Sequence, residues 1–306
     1  MTDVSPFLEA AVRTATPLLI AAAGESISER AGVINIGLEG CIIAGAYAAF
    51  ATGGIPIAGY TSAIFAGLAV GITMAFFAVV MRRDQIIVGA GLTMLALGLT
   101  GTLFRLREAS APLVTTEPVT AIPLLSRIPV VGPALFAQPA ITYFAFALVP
   151  ALWWWSQRTQ GGLALRAVGD SPSAAKAAGV QVVAVQAGAV IVGSALGGLA
   201  GGSLVLAQAG TFAEGMSAGR GFLAIAIVAL GRWQPVGVAL ASLIFGAAMA
   251  LQYVVQAMGW GIRYELVLMI PYVLTLVALA ARRRGVSQGQ HFSYAPAMLG
   301  RSLPDD

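Results

Sequence analysis

The sequence predicts an all-α, polytopic membrane protein of about eight to ten transmembrane helices, some of them broken or re-entrant. Three observations carry that expectation. Of the 306 residues, 58% are hydrophobic and 10% charged, whereas a soluble domain carries roughly 25% charged residues; such a composition cannot coat a water-facing surface. The apolar runs recur along the whole chain, so they are not one N-terminal signal segment. Each run is also continuously apolar, which argues against the alternating strands of a β-barrel. That leaves helices, whose backbone satisfies its own hydrogen bonds in hydrocarbon, in a single membrane domain spanning 1–306.

The elements follow in chain order. Pro6–Ala23 is apolar enough to enter lipid, and "GESISERAGVINIGLEG" (24–40) then interrupts it with Glu25, Glu29, Arg30, Asn35 and Glu39. Val33–Thr52 therefore starts with Asn35 and Glu39 on board, one helical turn apart and on one face. Glu25 and Glu29 read as interfacial residues at a helix end, with Arg30 pairing with either. Glu39 reads either as a cap on a neighbouring helix N-terminus or as a wall of a polar pathway. Ile57–Met81 and Ile86–Phe104 are full-length spans separated by "MRRDQ".

Residues 105–138 hold Pro112, Pro118, Pro123, Pro129 and Pro133, which argue against a regular helix and leave room for a short surface one. Pro139–Ser156 ends in Trp153, Trp154 and Trp155, an interfacial aromatic anchor. Val182–Ala209 carries Gly193, Gly197 and Gly201 every four residues, beside Gly198 and Gly202, so neighbouring backbones can approach closely. Gly221–Leu230 is too short to cross alone. Glu214 and Arg220 flank "GMSAG" just before it, as a second polar break. Val236–Met258 and Leu266–Ala281 complete the set, and "ARRRG" (281–285) places the C-terminal 282–306 tail in the cytoplasm. Counting back, with Gly221–Leu230 treated as a short crossing, makes 157–181 cytoplasmic and 105–138 external. Three basic residues lie on each, so the counts do not decide between them, and the side of the N-terminus stays open.

Composition also excludes chemistry. The formal net charge is +4, but its arginines sit mainly at the ends of apolar runs, where they orient helices instead of binding nucleic acid. Cys41 is the lone cysteine and His291 the lone histidine, so neither an internal disulfide nor a Cys/His metal cluster can form. No phosphate-binding G-x-x-x-x-G-K-[ST] loop occurs, and no cofactor or hydrolytic residue set is apparent.

Between two apolar runs lies "LRAVGDSPSAAKAAGVQ" (165–181). Asp170 and Ser171 are N-cap candidates, Pro172 suits the first helical position, and Gly179 can end the helix in a left-handed conformation. The resulting helix, 172–178, is roughly 10 Å long and too short to be stable alone in water. The membrane surface or another protein must hold it.

This segment resembles the cytoplasmic coupling segment of permease subunits in bacterial ATP-driven (ABC) importers, the branched-chain amino acid, ribose and nucleoside permease family. "SERAGVINIGLEG" (28–40), "DQIIVGAGLTMLALGLT" (84–100), "GMSAGRGFLAIAIVALGRWQP" (215–235) and "MIPYVLTL" (269–276) are similar, in this order, to its nucleoside and simple-sugar branch. The resemblance implies an importer of nucleosides or simple sugars. It would be built from two permease subunits as a heterodimer, two ABC ATPase subunits and an extracytoplasmic substrate-binding lipoprotein, in the lipid of the cytoplasmic membrane. It makes Gly169, Asp170, Ser171, Pro172, Ala175, Lys176 and Gly179 the ATPase-coupling set. The branch usually has Asn at Thr93, in a helix that the resemblance puts near the permeation path; Thr93 could equally bond its own helix backbone.

Asn35, Glu39, Thr93, Glu214 and Arg220 are the candidate pathway residues, because polarity at membrane depth is tolerated only inside protein or around a water-filled cavity. Two breaks roughly half a chain apart also suit paired gates. A standalone secondary transporter or channel for small polar solutes is the alternative reading, and a membrane enzyme ranks below it.

Overall fold

A computed structural model describes residues 5–53, 55–107, 114–129, 131–257, 266–267, 269–284 and 295–301. His291 and most of the 282–306 tail lie outside the described residues. Among the described residues there are twelve α-helices. They are α1 (Ser5–Arg30), α2 (Leu38–Ala51), α3 (Pro56–Met74), α4 (Gln85–Arg107), α5 (Val131–Phe136) and α6 (Ala140–Arg158). Then come α7 (Gln160–Asp170), α8 (Pro172–Ala177), α9 (Val182–Ser203), α10 (Arg220–Leu230), α11 (Pro235–Ala257) and α12 (Ile270–Arg284). α3 and α9 run on into π-helical turns, Ala75–Val80 and Leu204–Ala209. With those extensions, α1, α3, α4, α9 and α11 are long and apolar enough to cross a membrane, while α2 and α10 are shorter apolar helices.

Burial is inverted relative to a water-soluble protein. Ile57, Phe65, Ile87, Met94 and Leu106 are exposed, whereas Glu25, Ser28, Asn35 and Ser194 are completely buried. With lipid as solvent, apolar side chains belong outside and polar groups must find partners within the bundle.

α9 is the central post, packed against α1, α2 and α3. Its small-residue stripe explains why. A Cβ on Gly201 would lie 1.9 Å from the carbonyl oxygen of Ile42 on α2, and one on Gly198 2.2 Å from that of Ala63 on α3. On its other side Gly193 meets Gly24 of α1 backbone to backbone. Small side chains thus do the work expected of them in helix association without a hydrophobic driving force.

Two regions depart from expectation. The 157–181 segment holds a second helix, α7, whose N-cap Thr159 accepts a hydrogen bond from the Gly162 amide at 3.2 Å; a short amphipathic helix leaves no long apolar run to announce it. The described part of the proline-rich stretch, 114–129 and 131–138, holds the short helix the sequence left room for and, beyond expectation, a strand pair. β1 (Thr120–Ala121) pairs antiparallel with β2 (Ala137–Gln138), Thr120 opposite Gln138, around a 3₁₀ turn at Leu125–Arg127 and the six-residue α5. Glu117 pins it down. Its amide donates to the Leu206 carbonyl at 2.7 Å, while its carboxyl oxygens accept from the Tyr60 hydroxyl at 2.6 Å and the Ala140 amide at 3.1 Å.

Of the tryptophans, Trp153 and Trp154 are exposed, as an interfacial anchor requires. Trp155 turns inward and packs with Ile27 and Leu165 beside a cavity of about 490 Å³ between α1, α6, α7 and α9.

Candidate functional site

Residues 31–37, between α1 and α2, leave the helix while still inside the bundle, so their backbone amides and carbonyls need partners. Side chains from three helices supply them. The Asn35 amide donates to Glu25 at 2.9 Å and the Ile34 amide to Gln85 Oε1 at 2.9 Å. Gln186 Nε2 donates to the Ala31 carbonyl at 2.9 Å, and the Thr93 hydroxyl to the Ile36 carbonyl at 3.3 Å. The Asn35 side-chain amide donates to Ser194 Oγ on α9 at 2.9 Å. Glu25 is therefore a latch on the break, and Glu29 is buried one turn further along α1, which corrects the expectation of interfacial residues: a backbone leaving the helix inside the bundle draws an acceptor in with it.

Arg30 does not serve these carboxyls as read from sequence. Its Nε donates to the Trp233 carbonyl at 2.6 Å, and Trp233 Nε1 donates to Glu29. The turn after α10 is thus clamped to the end of α1.

The second break, 210–219, meets the first through one residue. Glu39, in the first turn of α2, accepts from the Gly219 amide at 2.8 Å and the Gly221 amide at 2.6 Å, capping the N-terminus of α10. Charge on that side chain complements the exposed donors and the positive end of the helix dipole. The approach demands glycine: a Cβ on Gly221 would sit 2.5 Å from the Glu39 amide nitrogen, and one on Gly40 3.0 Å from Thr93 Cα. Asn35, Glu39, Thr93 and the start of α10 are in this way brought to one locus where α2, α4 and α10 converge. It lies eight residues beyond Gln85, or about 12 Å along α4, and no more than about 16 Å from the far end of α10. α2 and α10 are half-length helices that begin there.

The remaining pathway candidates are placed differently. Arg220 turns back, with Nη1 donating to the carbonyls of Met216 at 2.7 Å and Ser217 at 3.2 Å, and so braces the 216–219 turn. That turn includes Ala218 at φ +45°, between Gly215 and Gly219, also at positive φ; for Ala such a backbone costs about 1–2 kcal/mol. Glu214 is not at the locus. It forms an exposed bidentate pair with Arg105 at the end of α4, 2.6 and 2.7 Å, and the guanidinium holds its carboxyl below the usual carboxylate range.

The coupling-segment residues form the local structure their sequence predicts. Ser171 caps α8 through the Ala174 amide at 3.4 Å, Pro172 opens it, and Gly179 closes it at φ +84°. Asp170 is instead the last residue of α7, so Ser171 alone is the cap. Gly169 and Ala175 are buried and Lys176 is exposed. Beside α8, a groove of about 930 Å³ lies between Arg82, Pro172, Lys176, Val180 and Val183.

Sequence reasoning missed Gln85, Gln186 and Ser194 as partners of the break, and Trp233 as the partner of Arg30 and Glu29. Gln186 and Ser194 carried a faint signal, as polar side chains within an apolar run. Among the described residues no group of three or more His, Cys, Asp or Glu side chains is placed to hold a metal ion.

The chain is similar in sequence to known permeases over most of its length. The chain is 36% identical over 266 residues to a putative glucose ABC transporter permease protein of Haloferax volcanii, covering 85% of this chain and 80% of that one. It is 33% identical to a nucleoside ABC transporter permease protein of Lactococcus lactis and 34% to a guanosine ABC transporter permease protein of Bacillus subtilis, each over 280 residues, 87% of this chain and 88% of theirs. No solved structure matches the chain. The family model for the permease component of branched-chain amino acid transport systems matches residues 7–279, and the chain belongs to that family.

Proposed function

We propose that this permease carries nucleosides into the cell, with simple sugars as the second reading. As an ABC permease in the cytoplasmic membrane, the chain works with an ATPase subunit and a substrate-binding protein, and is not itself an enzyme. Two of the three relatives above are named for nucleoside or guanosine transport and one for glucose, which supports nucleosides first. The observation that carries the transport route is the contact of Glu39 with the N-terminus of α10. It joins two broken segments inside the bundle, the arrangement around which transporters built from discontinuous helices form their sites. Asn35, Thr93 and Arg220 then hold the geometry of the breaks, and Glu214 with Arg105 lies toward the opposite end from α8.

The end bearing α8 also carries Arg82, Arg83, Arg158, Arg166 and Lys176, which supports a cytoplasmic location for that end and for the C-terminus. α1 then begins outside, and the proline-rich stretch is external, facing the binding protein, a lipoprotein in this reading. Gly169 to Gly179 form the coupling segment, with α8 seated on the ATPase. The exposed apolar faces of α3 and α4 support contact with lipid and with a second, non-identical permease subunit.

Uptake of labelled nucleosides, ribose and branched-chain amino acids by a strain lacking this chain tests the substrate. Loss confined to nucleosides is expected. Loss confined to ribose would transfer the assignment to sugars, and loss of none would refute the reading.

A further inference from the structure

We infer that residues 295–301 are a strap that makes the α8 segment and the 31–37 break move as one body, with Gly300, Gly169 and Gly32 as its positioning residues. The inference rests on the reading of α8 as the ATPase-coupling helix.

The strap is tied at three points. The Met298 amide donates to the carbonyl of Gly169, two residues before the α8 cap, at 3.0 Å, and the Gly300 amide to that of Gly32 at 3.1 Å. Gln85 Nε2 donates to the Arg301 carbonyl at 3.4 Å, while the same side chain accepts from Ile34 in the break. Pro296 is buried, and Ala295 and Leu299 pack against the main core cluster.

The fit is close, and closest at Gly169. A Cβ on Gly169 would lie 2.1 Å from the Arg30 carbonyl oxygen and 3.2 Å from Pro296 Cβ. Gly300 sits at φ +73°, where a Cβ would come within 3.0 Å of Ile34 Cδ1. Beyond Ile34 the connection is already described: Asn35 to Glu25 and Ser194, Ile36 to Thr93, and Glu39 to the start of α10. A displacement of α8 therefore has a continuous hydrogen-bonded and packed route to both breaks, and the strap closes it across α7, α1 and α4. Packed elements of this kind carry coupling because they are not continuously deformable.

The test uses the complete complex in vesicles, with ATPase, partner permease and binding protein. Its probe is whichever of guanosine and ribose the wild-type chain imports. Gly300→Val, and a chain ending at residue 294, should still co-purify the ATPase and keep basal ATP hydrolysis within about twofold. Solute moved per ATP should fall by roughly tenfold, a scale set by the energies that connecting residues contribute to coupling. Gly300→Asn should retain most of it, because Asn tolerates a left-handed backbone. Unchanged transport per ATP in both disrupting variants would overturn the strap, and so would loss of ATPase binding in Gly300→Val, which would make 295–301 part of the docking structure. Lys176→Glu is the control for the underlying reading: if it leaves ATPase binding intact and transport unchanged, the coupling role of α8 fails independently of the strap.

Discussion

Glu39 decides more than any other side chain, because two backbone donors at the start of α10 have it as their shared acceptor. Glu39→Ala leaves the buried Gly221 amide unpaired, at about 1–3 kcal/mol, and the half-buried Gly219 amide without its acceptor. Glu39→Gln keeps one acceptor oxygen and loses the charge that favours a helix N-terminus. Thermal unfolding of the purified complex should rank wild type above Gln and Gln above Ala; equal midpoints for all three would show that the cap contributes nothing. Gly201 makes a second residue-scale prediction. Gly201→Ala places a methyl against the Ile42 carbonyl, and overpacking of this kind costs about 1–3 kcal/mol, measurable as a lowered midpoint with α9 forced away from α2. At this scale the sequence was half legible. Polarity in "GESISERAGVINIGLEG" stood out at once, and capping was one of two readings for Glu39. The partner of Glu29 was not legible, since Trp233 lies 204 residues away and no local pattern links them.

Element length was the most readable property. Among the described residues each of the nine apolar runs holds a helix, because hydrocarbon thickness sets the length and the run of side chains reveals it; most ends shift by a few residues, but α1 runs on through Glu25 and Glu29 to Arg30 and α2 begins only at Leu38. α8 was readable for another reason: Ser171, Pro172 and Gly179 each satisfy a specific backbone requirement at a helix end. α7 and the Glu117 anchor were not, because one is short and amphipathic and the other depends on contacts across the fold. Deleting Ser173–Ala178 should abolish both uptake and substrate-stimulated ATP hydrolysis in vesicles, and persistence of both would contradict the coupling role.

The tie between α4 and the second break is an exposed ion pair, so its effect is small and weakened by salt. Its pH dependence has a definite sign. Arg105 depresses the Glu214 carboxyl, so the stabilisation is present above the unfolded value, about 4.3, and disappears as pH falls through the lower folded value. The melting difference between wild type and Glu214→Gln should therefore be present at neutral pH and vanish in strong acid.

At the scale of the whole molecule, two short apolar helices start from one polar locus inside the bundle, each preceded by a segment without helix. Composition showed that the chain lives in a membrane, and the paired polar breaks were visible as a pattern without an alignable repeat. That Glu39 joins them was not visible, because the contact spans 180 residues. The arrangement suits a permease opened from one end by a separate motor, and it is this dependence that separates an ABC permease from a self-sufficient carrier. The direct measurement is uptake of labelled guanosine into vesicles holding the complete complex, with the binding protein outside. Uptake should require ATP at the ATPase face and be indifferent to an imposed proton or sodium gradient; gradient-driven uptake without ATP would contradict it.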